Sequence, residues 1–130
     1  MKRKPDIYYR AFDFAIKLIN EMKVISFHPA QIEIRRQVNR SSMSISANII
    51  EAQNARSRIE FISCNKIALK EAEETFHWIR MLKELRNGKT DYFTKLEQEN
   101  REIIKIVASI IISAQRNLEK EKSLNNQRKK

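Results

Sequence analysis

The chain has 130 residues, of which 42% are hydrophobic, with one Gly and two Pro. That length is one domain, large enough to bury a core without disulfides or metals. Average usage would supply roughly 7% Gly and 5% Pro, so folds rich in tight turns and phosphate loops are excluded. Long helices with few connections remain. Lys and Arg number 26 against 16 Asp and Glu, a net charge of +10.

The excess charge sits at the ends. Residues 1–10 carry Lys2, Arg3, Lys4 and Arg10 against Asp6, a net +3. Residues 116–130 carry Arg116, Lys120, Lys122, Arg128, Lys129 and Lys130 against Glu119 and Glu121, a net +4. Basic ends of this kind serve as solubilising tails or as arms that reach RNA or DNA. Cys64 is the only cysteine, so no disulfide forms within the chain, and a reducing, cytoplasmic location is expected. Pro5 and Asp6 follow Met1-Lys2-Arg3-Lys4 where a signal peptide would place its apolar segment. The longest apolar run, Ile103–Ile112, is broken by Lys105 and Ser109, too short for the ~20 residues of a membrane span.

Four helices follow in order. Asp6 caps the first, whose stripe is Tyr8, Ala11, Phe12, Ala15, Leu18, Ile19, Met22 and Ile25, ending at His28-Pro29. Pro29 opens the second, with Ile32, Arg35, Val38, Ser42, Ile45, Ile49 and Ala52 on one face. Its serines are modest helix formers, but small residues admit a close neighbour. Ser57 and Glu60 form a capping box for the third helix. Ile62, Leu69, Phe76 and Lys83 recur there at steps of seven, widened by Ile59, Phe61, Ala68, Ala72, Ile79 and Leu82. Gly88 suits the left-handed position after that helix, and Thr90 caps the fourth. The fourth stripe is Phe93, Leu96, Ile103, Ile104, Val107, Ile110, Ile111, Ala114 and Leu118. Its apolar face is wide, as for a helix covered on both sides. Short connections make successive helices antiparallel neighbours. The expected fold is therefore all-α, an up-down-up-down antiparallel four-helix bundle over residues 1–120, probable oligomerisation being implied by the wide face, with a basic disordered tail over 121–130.

Gln37-Val38-Asn39-Arg40-Ser41-Ser42-Met43-Ser44-Ile45-Ser46-Ala47-Asn48-Ile49-Ile50-Glu51-Ala52 resembles the core segment of the small four helix bundle proteins. The basic stretch Asn54-Ala55-Arg56-Ser57-Arg58, then Glu60-Phe61-Ile62 and Ile67 to Glu74, continue the likeness. Two departures are Ala52, where the family has Gly, and Lys70-Glu71, where it has Gly-Ser. The best-known members are encoded by intervening sequences in bacterial 23S rRNA genes. A related branch is the accessory variability protein of diversity-generating retroelements, a pentamer that binds nucleic acid and a reverse transcriptase. The resemblance implies a four-helix bundle, a homo-oligomer (a pentamer in the related branch) and a link to RNA or DNA.

Arg35, Arg36, Arg40, Arg56 and Arg58 are the candidate nucleic-acid-binding residues, since guanidinium forks suit phosphate. The competing reading is a solvated face with inter-helix salt bridges. Asn48 and Glu51 share a helix face and are expected to form a structural polar network, for instance with Arg40. Glu74 and His77 give a single Glu-x-x-His match, whereas a di-metal bundle needs the motif on two helices. Phosphate-loop and nucleophile-elbow motifs are absent. The sequence thus points to a non-enzymatic protein without cofactor or metal, binding nucleic acid or a ribonucleoprotein through basic surface. The alternative is a protein-interaction scaffold with incidental positive charge, such as an accessory subunit of a reverse transcriptase. In that case the apolar fourth-helix face or the first-helix surface would hold the partner.

Overall fold

The computed structural model describes residues 6–25, 28–86 and 91–129. Within them lie four helices: α1 (Ile7–Val24), α2 (Ile32–Gln53), α3 (Arg58–Leu85) and α4 (Asp91–Arg128). No strand occurs among the described residues. The roles expected of Gly88 and Thr90 fall outside them.

Local chemistry sets most helix boundaries. The Asp6 carboxylate accepts the Tyr8 amide at 2.6 Å and caps α1. That helix stops at Val24, earlier than the stripe suggests, because Ile25 already has extended backbone. Pro29 opens a 3₁₀ turn, Pro29–Gln31, instead of α2 itself, and the extended His28 caps it by accepting the Ala30 amide on Nδ1 at 3.1 Å. A proline fits either helix type at its first position, since it has no amide hydrogen to place.

Ser57 Oγ accepts the Glu60 amide at 3.1 Å, and the Glu60 carboxylate accepts from the Arg56 amide at 2.9 Å. The carboxylate thus reaches one residue further back than a standard capping box requires. Replacement Ser57→Ala is expected to cost about 1 kcal/mol of folding free energy, measurable by urea denaturation.

The core joins Phe14, Leu18 and Met22 of α1, Val38, Ile45 and Ile49 of α2, Ile79 and Leu82 of α3, and Phe93, Ile103 and Val107 of α4. Phe12, Ile32 and Ile59, assigned to the stripes, are exposed instead, while Phe14, outside the expected stripe of α1, is buried. The interface of α2 with α3 is the most extensive, and that of α1 with α4 the least. Small residues explain the former. Ser41, Ser42, Ala68, Ala72 and Thr75 are all fully buried. The Ser41 and Thr75 hydroxyls lie 2.8 Å apart, and each also reaches a carbonyl of its own helix. Buried hydroxyls are thereby satisfied, as an apolar core demands. Asn100 of α4 donates to the Ala72 carbonyl at 3.0 Å, a contact that the small Ala72 side chain permits.

The tail is a correction. Residues after Glu121 are not disordered: α4 continues through Arg128, making it 38 residues long. Glu, Lys, Leu, Gln and Arg supply good helix propensity there, enough to carry an exposed extension. None of the described helices is long and apolar enough to cross a membrane.

Candidate nucleic-acid interface

Two contacts and one short connection bring three distant parts of the chain together at one end of the bundle. Gln53 Nε2 at the end of α2 donates to the Asp6 carboxylate at the start of α1, at 3.3 Å. Residues 54–57 join α2 to α3. Arg58 at the start of α3 binds Glu121 of α4 through Nε and Nη2, at 2.9 and 2.7 Å. The start of α1, the α2–α3 connection and α4 at Glu121 therefore meet. Among the described residues, 6–10 are neutral, 53–60 carry +1 and 116–129 carry +3, so the segments that meet there hold a net +4. Sequence reading found both basic ends. Only the topology joins the C-terminal one to the α2–α3 connection, through Arg58 and Glu121.

The five candidate arginines do not form one patch. Arg35, Arg36 and Arg40 lie in the first half of α2, and about 25 Å of helix axis separates Arg36 from the helix end beside Arg56. Arg36 pairs with Glu33 within its own helix at 3.2 Å. Arg35 is half-buried and already engaged. Arg40 bridges α2 to α3, binding Glu74 at 2.6 Å and Glu71 at 3.2 Å. This is the inter-helix salt bridge that competed with phosphate binding as a reading. Arg56 is exposed at the basic end.

The Arg40 cluster has consequences for pH. The hydrogen bond from Arg40 holds the Glu74 carboxyl below the usual carboxylate range, against partial burial, with help from the Trp78 indole. The same bond raises the Arg40 guanidinium above its ordinary value, against burial, with Glu71 adding to it. A depressed carboxyl stabilises the fold above the usual carboxylate range, and that contribution is lost as pH falls through the folded-state value. Acid unfolding should therefore be shallower in Arg40→Gln than in the natural chain. The difference at neutral pH should be about 1 kcal/mol or less, because the pair is half-exposed. Urea titrations between acidic and neutral pH measure it.

Asn48 and Glu51 do not join in a network. Asn48 donates to the Ser44 carbonyl of its own helix at 2.8 Å, and Glu51 is exposed. Glu51 acts instead on Cys64, whose thiol is pushed up by partial burial, then by the Glu51 and Glu60 carboxylates. A raised thiol is a poor nucleophile. Glu74 of the Glu-x-x-His match is held by Arg40 and Trp78, while His77 is exposed and packs edge-on against Trp78. No group of three His, Cys, Asp or Glu among the described residues is placed to hold a metal.

A cleft of about 690 Å³ lies between α1 and α4. Arg10, Lys17 and Lys95 face Asp13, Glu21, Asp91 and Glu99 there, over a floor of Phe14, Tyr92 and Leu96. An Arg10–Glu99 ion pair spans it. Four carboxylates against three cations leave it with a net negative charge, so it is no anion site.

Apolar surface is exposed elsewhere. Tyr9, Phe12 and Ile16 follow at steps of three and four on α1 and are 38%, 40% and 47% exposed. Met43 and Ile50, seven apart on the adjacent α2, are 51% and 37% exposed. On α4 the apolar face is mostly absorbed by the core, leaving Ile112 as its exposed large residue before the extension.

Comparison with known proteins agrees with the fold. No curated protein matches the chain. A crystal structure of a protein of unknown function from the S23 ribosomal protein family of Bacteroides thetaiotaomicron is similar at 33% identity and a TM-score of 0.75, over 82% of this chain and 98% of that one. Residues 3–109 match the family described as 23S rRNA-intervening sequence protein. A match over most of the bundle, in sequence and in fold, settles the kinship: the chain belongs to the 23S rRNA-intervening sequence protein family.

Proposed function

We propose that the protein is a non-enzymatic, homo-oligomeric bundle that binds nucleic acid through the end where its basic segments converge. The observation that carries this reading is the meeting of the start of α1, the α2–α3 connection and α4 through the Asp6–Gln53 and Arg58–Glu121 contacts, where the described residues 53–60 and 116–129 together carry +4. Phosphate neutralisation with counter-ion release needs only such a surface and is largely independent of sequence. The family's link to 23S rRNA makes RNA or DNA the natural polyanion. A reducing cytoplasm suits the lone Cys64.

The exposed stripe of Tyr9, Phe12 and Ile16 on α1 supports self-association, because an exposed apolar stripe of this kind marks protein contacts. Association would multiply the basic end and raise avidity without new contacts. The same stripe also favours the second reading, a scaffold whose partner is another protein. A fluorescence anisotropy titration of a structured RNA and a matched DNA duplex at several salt concentrations separates them. Binding whose log affinity falls linearly with log salt is expected. No binding at low salt would leave the scaffold reading.

A further inference from the structure

We infer that the last two turns of α4 are a recognition helix for the major groove of duplex DNA, an inference that rests on nucleic-acid binding at the basic end. Beyond the Arg58–Glu121 pair, the helix extends about 10 Å further, from Lys122 to Arg128. Every residue from Lys122 to Lys129 is exposed, and none has a side-chain hydrogen bond or ion pair with another described residue.

The arrangement of this segment suits a groove walled by phosphates. At about 100° per residue, Lys122 lies on one flank and Arg128 on the other, with Asn125 between them, and Lys129 follows the helix end. Cations on both flanks match the two phosphate walls, and a central amide is the group that reads adenine by a bidentate hydrogen bond. A bare helix about 10–12 Å across fits the major groove of B-form DNA, about 12 Å wide, whereas the A-form major groove of duplex RNA is deep and too narrow. The same charge on the side of the bundle would not discriminate between the two duplexes. A helix standing clear of it does.

The test uses the full chain with duplex DNA and duplex RNA of one sequence, each titrated at several salt concentrations. The natural chain should bind the DNA duplex at least tenfold more tightly. In Lys122→Gln/Arg128→Gln/Lys129→Gln, that preference should vanish, and the log–log salt slope for DNA should fall by about 2.7 per bound chain, at roughly 0.9 for each lost phosphate contact. Asn125→Ala, which removes no charge, should keep the salt slope for DNA. Glutamine retains helix propensity, so circular dichroism should be unchanged. Equal binding of the two duplexes, or an unaltered slope in the triple variant, overturns the recognition helix and leaves the basic-end reading standing. Absence of binding to either duplex and to single strands at low salt overturns both.

Discussion

Neutralising Arg56, Arg116 and Lys120 together as glutamines should lower nucleic-acid affinity about a hundredfold or more at ~0.1 M salt. Each phosphate contact contributes about 0.9 to the log–log salt slope, which at that salt is worth roughly a factor of eight. The three side chains are exposed on segments that converge at one end of the bundle. A charge-matched control, Arg36→Gln/Lys66→Gln/Lys70→Gln, removes the same three charges from exposed positions on the sides of α2 and α3. Its affinity should change by no more than about threefold, since only the long-range field is altered. Equal losses in the two variants would show that net charge, not place, governs binding.

The largest effect on stability is expected at Phe14. It is buried in the core and also forms the floor of the cleft between α1 and α4, the least extensive helix pair. Phe14→Ala removes a large side chain where little else holds the two helices together. The expected cost is about 3–5 kcal/mol, seen as a lower urea midpoint. Against a typical domain stability of about 5–15 kcal/mol, that leaves a marginal fold. Hydrogen exchange should then show α1 opening before α2 and α3. A cost below about 1 kcal/mol would mean that α1 docks mainly through α2.

Much of this was legible in the residues. Helix number, the Asp6 and Ser57 caps and nearly the whole core follow from spacing, because apolar stripes at 3.6-residue period have one way to be buried. Boundaries were less legible. Pro29 is compatible with a 3₁₀ turn as well as with α2, and polarity after Glu121 resembled disorder although the propensities there favour helix. Site reading failed where pairing depends on tertiary register. Nothing in the spacing of Arg40 reveals that Glu71 and Glu74, over thirty residues away, face it across the α2–α3 interface. Likewise the basic C-terminal segment is visible in the sequence, but its meeting with the start of α3 at Arg58 is a property of the up-down-up-down topology.

Lysine-reactivity footprinting of the protein with and without saturating nucleic acid, read by mass spectrometry, locates the contact surface directly. Lys120, Lys122 and Lys129 should be strongly protected, while Lys17, Lys66, Lys70 and Lys95, on the sides of the bundle, keep their reactivity. Protection of Lys66 and Lys70 with Lys120 and Lys122 left reactive would place binding on the flank of the helices and contradict the basic-end account.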